Sequence, residues 1–105
     1  MTLQEFDTKL KEACPGLVHE LSAPNDATRY VVWHRYGRSS TYGDDRNQLD
    51  VPKVQIDIIS NNYYDLLDED VTVALWMMDL PYEIISEGYD DEYAAYRTIL
   101  HLVVI

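Results

Sequence analysis

Apolar residues recur at helical spacing near the start of the chain. The first stripe comprises Leu3, Phe6, Leu10 and Ala13. Residues three and four positions apart share one side of a helix, so this pattern predicts an amphipathic helix. Thr2 and Glu5 have the spacing of a capping box, and Pro15-Gly16 is a stop signal. The helix is therefore predicted to begin at Thr2 and to be stopped by Pro15-Gly16.

A second helical pattern lies between two signals, a capping residue at Ser60 or Asn61 and a stop at Asp79-Leu80-Pro81. Its apolar stripe comprises Tyr64, Leu67, Val71, Ala74, Leu75 and Met78. Acidic residues at 65 and 68–70 occupy its first half, where the helix dipole favours negative charge. This pattern predicts a helix with one buried face.

Four segments combine β-branched and aromatic residues without internal breakers, which is typical of strands. They are Arg29–Tyr36, Val51–Ile59, Tyr82–Glu87 and Tyr96–Ile105. The last segment is apolar on both faces near its end, which is expected of a central strand or of one that meets another subunit. Residues 17–28 hold a short apolar piece and then a turn-rich run.

The predicted order is α-β-β-α-β-β, in a single domain of residues 1–105. Strands interrupted by helices indicate an α+β fold, with a mostly antiparallel four-stranded sheet and helices packed on one face. The second helix joins the second and third predicted strands. If those two strands are parallel neighbours, the crossover is expected to be right-handed.

The charge balance excludes several classes of partner. The chain has 8 basic and 19 acidic residues and a formal net charge of -11. Such acidity disfavours autonomous binding to nucleic acid or to anionic lipid, because both depend on basic side chains. No apolar run is long enough for a membrane span. One cysteine, Cys14, cannot form an internal disulfide or a multi-cysteine metal site.

Candidate catalytic groups are few. The histidines are His19, His34 and His101. Cys14 precedes a proline at a predicted helix end in an acidic chain, and negative surroundings oppose activation of a thiol. The acidic runs lack the spacing of a calcium loop, and no phosphate-binding or nucleophile motif is present. We expect no catalytic residue, metal or cofactor; an enzyme using His34 or His101 beside a carboxylate is the least favoured alternative.

The segment 37–50 is predicted to be a long polar loop, a feature that is usually functional or ordered by a partner. Five of the eight basic residues lie between positions 29 and 53, whereas residues 51–105 carry 2 basic and 11 acidic residues. Two unlike patches on one molecule favour head-to-tail association, which closes into a ring if the rotation permits. The candidate self-assembly residues are Arg35, Arg38, Tyr42, Asp44, Asp45, Arg46, Tyr89 and Asp90.

Several of these motifs also occur together in a known family. The sequence contains Tyr30-Val31-Val32-Trp33, a long polar loop, and then Val54-Gln55-Ile56-Asp57-Ile58-Ile59-Ser60 leading into a helix. It ends with Gly88-Tyr89-Asp90, a short acidic gap, Tyr96-Arg97 and an apolar strand. Over roughly residues 29–105 the chain resembles the tail-completion, or tail-terminator, proteins of long-tailed bacteriophages and prophages. The acidity of the second helix and the last hairpin departs from that family's pattern.

The resemblance implies a structural virion assembly protein without enzymatic activity or cofactor. Its members form a ring, commonly a hexamer, at the head-proximal end of the tail. The expected partners are further copies of the chain, the tail tube protein and the head-tail connector protein. DNA is expected to pass through the ring without sequence-specific binding, and no membrane is involved. The expected location is the tail and neck of the virion, and the host cytoplasm during assembly.

A different class of function remains open. A small acidic interaction module could mask a basic surface of another protein, and the acidic second half of the chain favours this alternative. It predicts a stable monomer that binds a basic protein tightly at low salt.

Overall fold

The computed structural model describes residues 1–40 and 50–105. Its elements in chain order are α1 (Leu3–Ala13), β1 (Val18–Glu20), β2 (Arg29–Ser40), β3 (Asp50–Ser60), α2 (Leu67–Met77), β4 (Tyr82–Asp90) and β5 (Ala95–Val103).

The five strands form one mixed sheet in the order β1-β2-β3-β5-β4. β1 runs parallel to β2, and the other neighbouring pairs are antiparallel. The α+β class is as expected, but the prediction of a four-stranded sheet in the order α-β-β-α-β-β is wrong. β1 was missed because three residues are too few to show alternation. Its pairing is fixed by tertiary contact, with the Val31 amide donating to the Leu17 carbonyl at 2.8 Å.

The crossover through α2 does not join neighbouring strands. β5 pairs with β3 on one side and with β4 on the other. Since both pairings are antiparallel, β3 and β4 run in the same direction with β5 between them. A right-handed crossover was expected only if these two strands are parallel neighbours. They are parallel but not neighbours, so the expectation does not apply.

The start of α1 matches the capping prediction. The Glu5 amide donates to Thr2 Oγ1 at 3.1 Å, and the Thr2 amide donates to Glu5 Oε1 at 3.2 Å. Phe6 and Leu10 are fully buried. Ala13 is exposed, and Cys14 at the C-cap is buried in its place, because the backbone leaves helical geometry there.

α2 begins later than predicted, because a hydrogen-bonded turn precedes it. Ser60 Oγ donates to Asp65 Oδ2 at 2.7 Å, and the Leu67 amide donates to Asp65 Oδ1 at 3.0 Å. Ser60 therefore holds the turn instead of capping the helix. Tyr64 lies in this turn and is 83% exposed, so the buried stripe starts at Leu67. The stripe continues through Val71, Ala74 and Leu75.

The core lies between the two helices and one face of the sheet, here called the inner face. Strand residues of this face that join the core are Val31, Trp33, Val54, Ile56, Ile58, Leu100 and Leu102. The Trp33 ring meets the Phe6 ring edge-on at 5.4 Å, and its Nε1 donates to Asp7 Oδ1 at 2.8 Å. Burial of this apolar set, at about 25 cal/mol per Å², is the main stabilising contribution to the fold.

Both ends of the predicted loop 37–50 belong to strands. Gly37–Ser40 continue β2, and β3 already begins at Asp50. Strand pairing with β3 shifts around Tyr36, which forms a bulge between Arg35 and Gly37. Four of the candidate assembly residues, Tyr42, Asp44, Asp45 and Arg46, lie outside the described residues.

Candidate functional site

Residues of the other face of the sheet, here called the open face, lie outside the helix-packed core and form a row of hydrogen-bonded polar side chains. Arg97 on β5 donates to Asp57 Oδ2 on β3 at 2.7 Å and to Asp90 Oδ2 on β4 at 3.2 Å. Gln55 Nε2 donates to Asp57 Oδ1 at 2.8 Å. Burial alone lowers the pKa of Arg97, but the hydrogen bond and charge of Asp57 raise that pKa above its ordinary value. Arg97 therefore stays charged beside Asp57.

The row continues to the opposite side of the open face. His101 Nε2 lies 3.0 Å from Gln55 Oε1, and Tyr36 Oη lies 3.3 Å from His101 Nδ1. The Tyr36 and His101 rings are 4.5 Å apart. His101 thus contacts a phenol and an amide, and strand register sets Glu83 opposite it on β4.

A groove of about 490 Å³ lies at one end of the open face, beneath the turn of residues 21–27. Its lining includes Tyr30, His34 and the Asp57–Arg97 pair. The Tyr93 ring stacks on the Arg97 guanidinium, whose carbon lies 4.6 Å from the ring centroid. These contacts hold the Asp57 and Arg97 side chains in place, which indicates a structural role for the groove.

Cys14 is remote from this groove. It belongs to the core on the inner face and is 2% exposed. Burial raises the pKa of the Cys14 thiol, and the nearby charge of Asp70 raises it further. A buried neutral thiol is a poor nucleophile.

The candidate assembly residues that are described fall at opposite ends of the sheet. Exposed Arg35 and Arg38 lie on the part of β2 that extends past β1. Tyr89 and Asp90 lie at the end of β4, beside the turn that carries Asp91 and Glu92. Strand register separates Arg38 from Asp90 by about 30 Å, at roughly 3.3 Å per residue. Within one molecule the two groups therefore do not meet.

β4 is an edge strand, and its residues from Tyr82 to Tyr89 are all exposed. Four of these residues are large and apolar: Tyr82, Ile84, Ile85 and Tyr89. The pairing with β5 shifts at Ile85, which forms a bulge. β4 contains no basic residue, whereas Glu83, Glu87 and Asp90 make it acidic. A long exposed edge of this kind is a template for pairing with another chain.

An apolar surface on α2 adjoins the start of β4. Trp76 is 77% exposed, and Val73 and Met77 beside it are also exposed. Trp76 and Tyr82 line a shallow cavity of about 360 Å³. This surface was not predicted, because the apolar pattern of the helix was interpreted as a single buried stripe. The signal was present, since Val73, Trp76 and Met77 form a second stripe at helical spacing.

Tyrosines cluster at the other end of β4. The Tyr89 and Tyr96 rings are 5.3 Å apart, and the Tyr96 and Tyr63 rings are 5.2 Å apart. Tyr64 stacks edge-on against Tyr63, also at 5.2 Å. Exposed tyrosines suit partly wet contact surfaces, because each carries a large ring and a polar tip.

No protein-family model matches the chain, and no curated protein matches it either. None of the helices in residues 1–40 and 50–105 is long and apolar enough to cross a membrane. Within the same ranges, no group of three or more His, Cys, Asp or Glu side chains is arranged to hold a metal ion.

Proposed function

We propose that this chain is a structural subunit that assembles head to tail into a closed ring. Following the resemblance to tail terminators, the ring would cap the tail tube of a bacteriophage and join it to the head-tail connector. The observation that carries the proposal is the exposed apolar edge of β4 with the neighbouring Trp76. Large contiguous apolar surface on a small domain marks a contact with another protein.

The charge distribution supports association between unlike surfaces. Arg35 and Arg38 lie at one end of the sheet, and Asp90, Asp91 and Glu92 lie at the other. Contact between the basic end of one copy and the acidic end of the next is attractive. Contact between two like ends is repulsive, which selects against two-fold pairing through either end.

The braced open face also suits a structural role. The row from Tyr36 to Asp90 links β2, β3, β5 and β4 by side-chain hydrogen bonds. Side-chain hydrogen bonds that link neighbouring strands hold those strands in one geometry. A rigid sheet is what a subunit needs if its two ends must meet their neighbours at a fixed angle.

Sedimentation velocity at low salt tests the proposal, with protein from micromolar to millimolar concentration. We expect a concentration-dependent oligomer larger than a dimer, weakened at high salt because exposed charges are screened. The variant Arg35→Glu/Arg38→Glu should lower association by at least tenfold. Lys9→Glu/Lys11→Glu on the exposed side of α1 makes the same change in net charge and serves as the control; because Lys11 pairs with Asp7 at 2.8 Å, urea unfolding checks that this variant stays folded.

Two results would overturn the proposal. A chain that stays monomeric at millimolar concentration would favour the acidic module, especially if it binds a basic protein at low salt. Equal loss of association in both double variants would show that net charge alone, and not the end of the sheet, controls assembly.

A further inference from the structure

We propose that subunits join by strand addition, in which the outer edge of β2 from Arg35 to Ser40 pairs with the outer edge of β4 in the next copy. This inference rests on the proposed ring and names its interface. The partner is a second copy of this chain.

Both edges lie open in the part of the chain that the structure describes. β1 pairs with β2 only at Val31, Val32 and Trp33, so β2 extends past its neighbour on that side. β4 ends the sheet and pairs with β5 on one side. Each edge therefore presents backbone amides and carbonyls that another strand can satisfy.

The side chains on the two edges are complementary in charge. Arg35 pairs with Val54 and Arg38 with Pro52, which places both arginines on the inner-face side of β2. The bulge at Ile85 places Glu87, opposite Thr98, on the same side of β4. If the helices of neighbouring copies lie on one side of a continuous sheet, the arginines and Glu87 come together. Opposite charges across neighbouring strands stabilise a pair.

Self-pairing of β4 is disfavoured by the same charges. An antiparallel β4 pair centred on Glu87 sets Glu87 of one copy opposite Glu87 of the other. Since β4 contains no basic residue, a shifted register also brings acidic strands together. Like charges placed opposite each other are destabilising, so β4 selects a basic strand.

An antiparallel register is the more favourable of the two directions. With Arg38 opposite Glu87, it sets Arg35 opposite Tyr89 and next to Asp90. β2 and β4 run in opposite directions within one molecule, so copies whose helices lie on the same side of a continuous sheet meet in the antiparallel direction. The antiparallel arrangement therefore joins the two groups of candidate residues that lie about 30 Å apart within one molecule.

Engineered cysteines test the pairing directly. Arg38→Cys and Glu87→Cys are mixed under mild oxidation and resolved without reductant, and Cys14 does not interfere because it is buried. We expect the mixture of Arg38→Cys and Glu87→Cys to form a disulfide-linked dimer at least tenfold faster than Glu87→Cys alone. The single variant Glu87→Cys reports self-pairing of β4. The mixture of His19→Cys with Glu87→Cys reports pairing between β1 and β4. In one chain, Arg38→Cys/Glu87→Cys should give a ladder that stops at the ring size.

Faster cross-linking of Glu87→Cys alone, or of His19→Cys with Glu87→Cys, would overturn the strand pairing. The proposed ring stands in that case if sedimentation still shows a closed oligomer. A monomer in sedimentation overturns both. Charge exchange gives an independent check: Glu87→Arg should restore at least half of the association lost in Arg35→Glu/Arg38→Glu, whereas Glu12→Arg on α1 should restore none.

Discussion

Arg97 and Asp57 form an ion pair across neighbouring strands, with a distance of 2.7 Å between Nη2 and Oδ2. Both side chains are mostly buried, and Tyr93 covers the guanidinium. We predict that Asp57→Ala lowers the free energy of unfolding by about 2–4 kcal/mol, because it leaves a buried cation with one carboxylate partner. Urea unfolding measures this loss.

Asp91→Ala is the control for that experiment. Asp91 is an exposed carboxylate in the β4–β5 turn, so its removal should change the free energy of unfolding by no more than about 0.5 kcal/mol. Equal losses in the two variants would contradict a bracing role for the Asp57–Arg97 pair.

Asp65 makes stability depend on acid pH. The hydrogen bond from Arg29, opposed in part by burial and aided by Ser60, lowers the pKa of Asp65 from 3.8 to about 2. A lowered folded-state pKa contributes stability above pH 4 that is lost as the pH falls towards 2. We predict that the free energy of unfolding of the wild type exceeds that of Asp65→Asn by about 1–2 kcal/mol at pH 5. The difference is modest because Arg29 is exposed to solvent.

The measurement is urea unfolding of the wild type and Asp65→Asn at pH 5 and at pH 2. The difference between their free energies of unfolding should shrink towards zero at pH 2. The general effect of acid on an acidic chain acts on both proteins alike. A difference that is constant over this range would contradict the ion-pair account of Asp65.

Cys14 should react slowly with thiol reagents in the folded protein. The thiol is buried, and its pKa is raised by that burial, so labelling requires opening of the core. At pH 8 we expect a rate at least about a hundredfold below that of the urea-unfolded chain. Comparable rates in the two states would place Cys14 at an accessible, reactive position.

Trp76 should matter for association and not for folding. Trp76→Gln is predicted to change the free energy of unfolding by less than about 1 kcal/mol, because the ring is mostly exposed. The same variant should weaken association by about tenfold or more, as loss of an aromatic contact residue commonly does. Sedimentation and urea unfolding of the one variant separate these effects. A large loss of stability with normal association would contradict this role.

Much of the fold could be predicted from the sequence where the signal is local. The capping box at Thr2 and the alternation around Ile56 are properties of neighbouring residues, and both elements form where expected. β1 could not be predicted in this way. It is three residues long, and its pairing with β2 depends on a turn that reverses the chain after Glu20.

The ends of elements were less predictable for the same reason. β2 continues through the polar residues Gly37–Ser40 because β3 pairs with them, not because their side chains favour a strand. β4 extends from the predicted Glu87 to Asp90, where Arg97 holds the carboxylate. Such contacts join residues far apart in sequence, which composition and periodicity do not show.

The candidate site was only partly predictable. The sequence indicated two unlike charged regions, and the structure places Arg35 and Arg38 far from Asp90. It did not indicate that β4 is an exposed edge, since exposure of a strand depends on sheet order. Nor did it indicate the row from Tyr36 to Arg97, whose members approach one another only through the pairing of three strands.

Electron microscopy of the largest species formed at low salt is the decisive experiment for the proposed ring. We predict class averages of one closed ring with a central opening, built from identical subunits that each contact two neighbours through unlike surfaces. Compact two-fold dimers, open chains of variable length or isolated monomers at high concentration would contradict it.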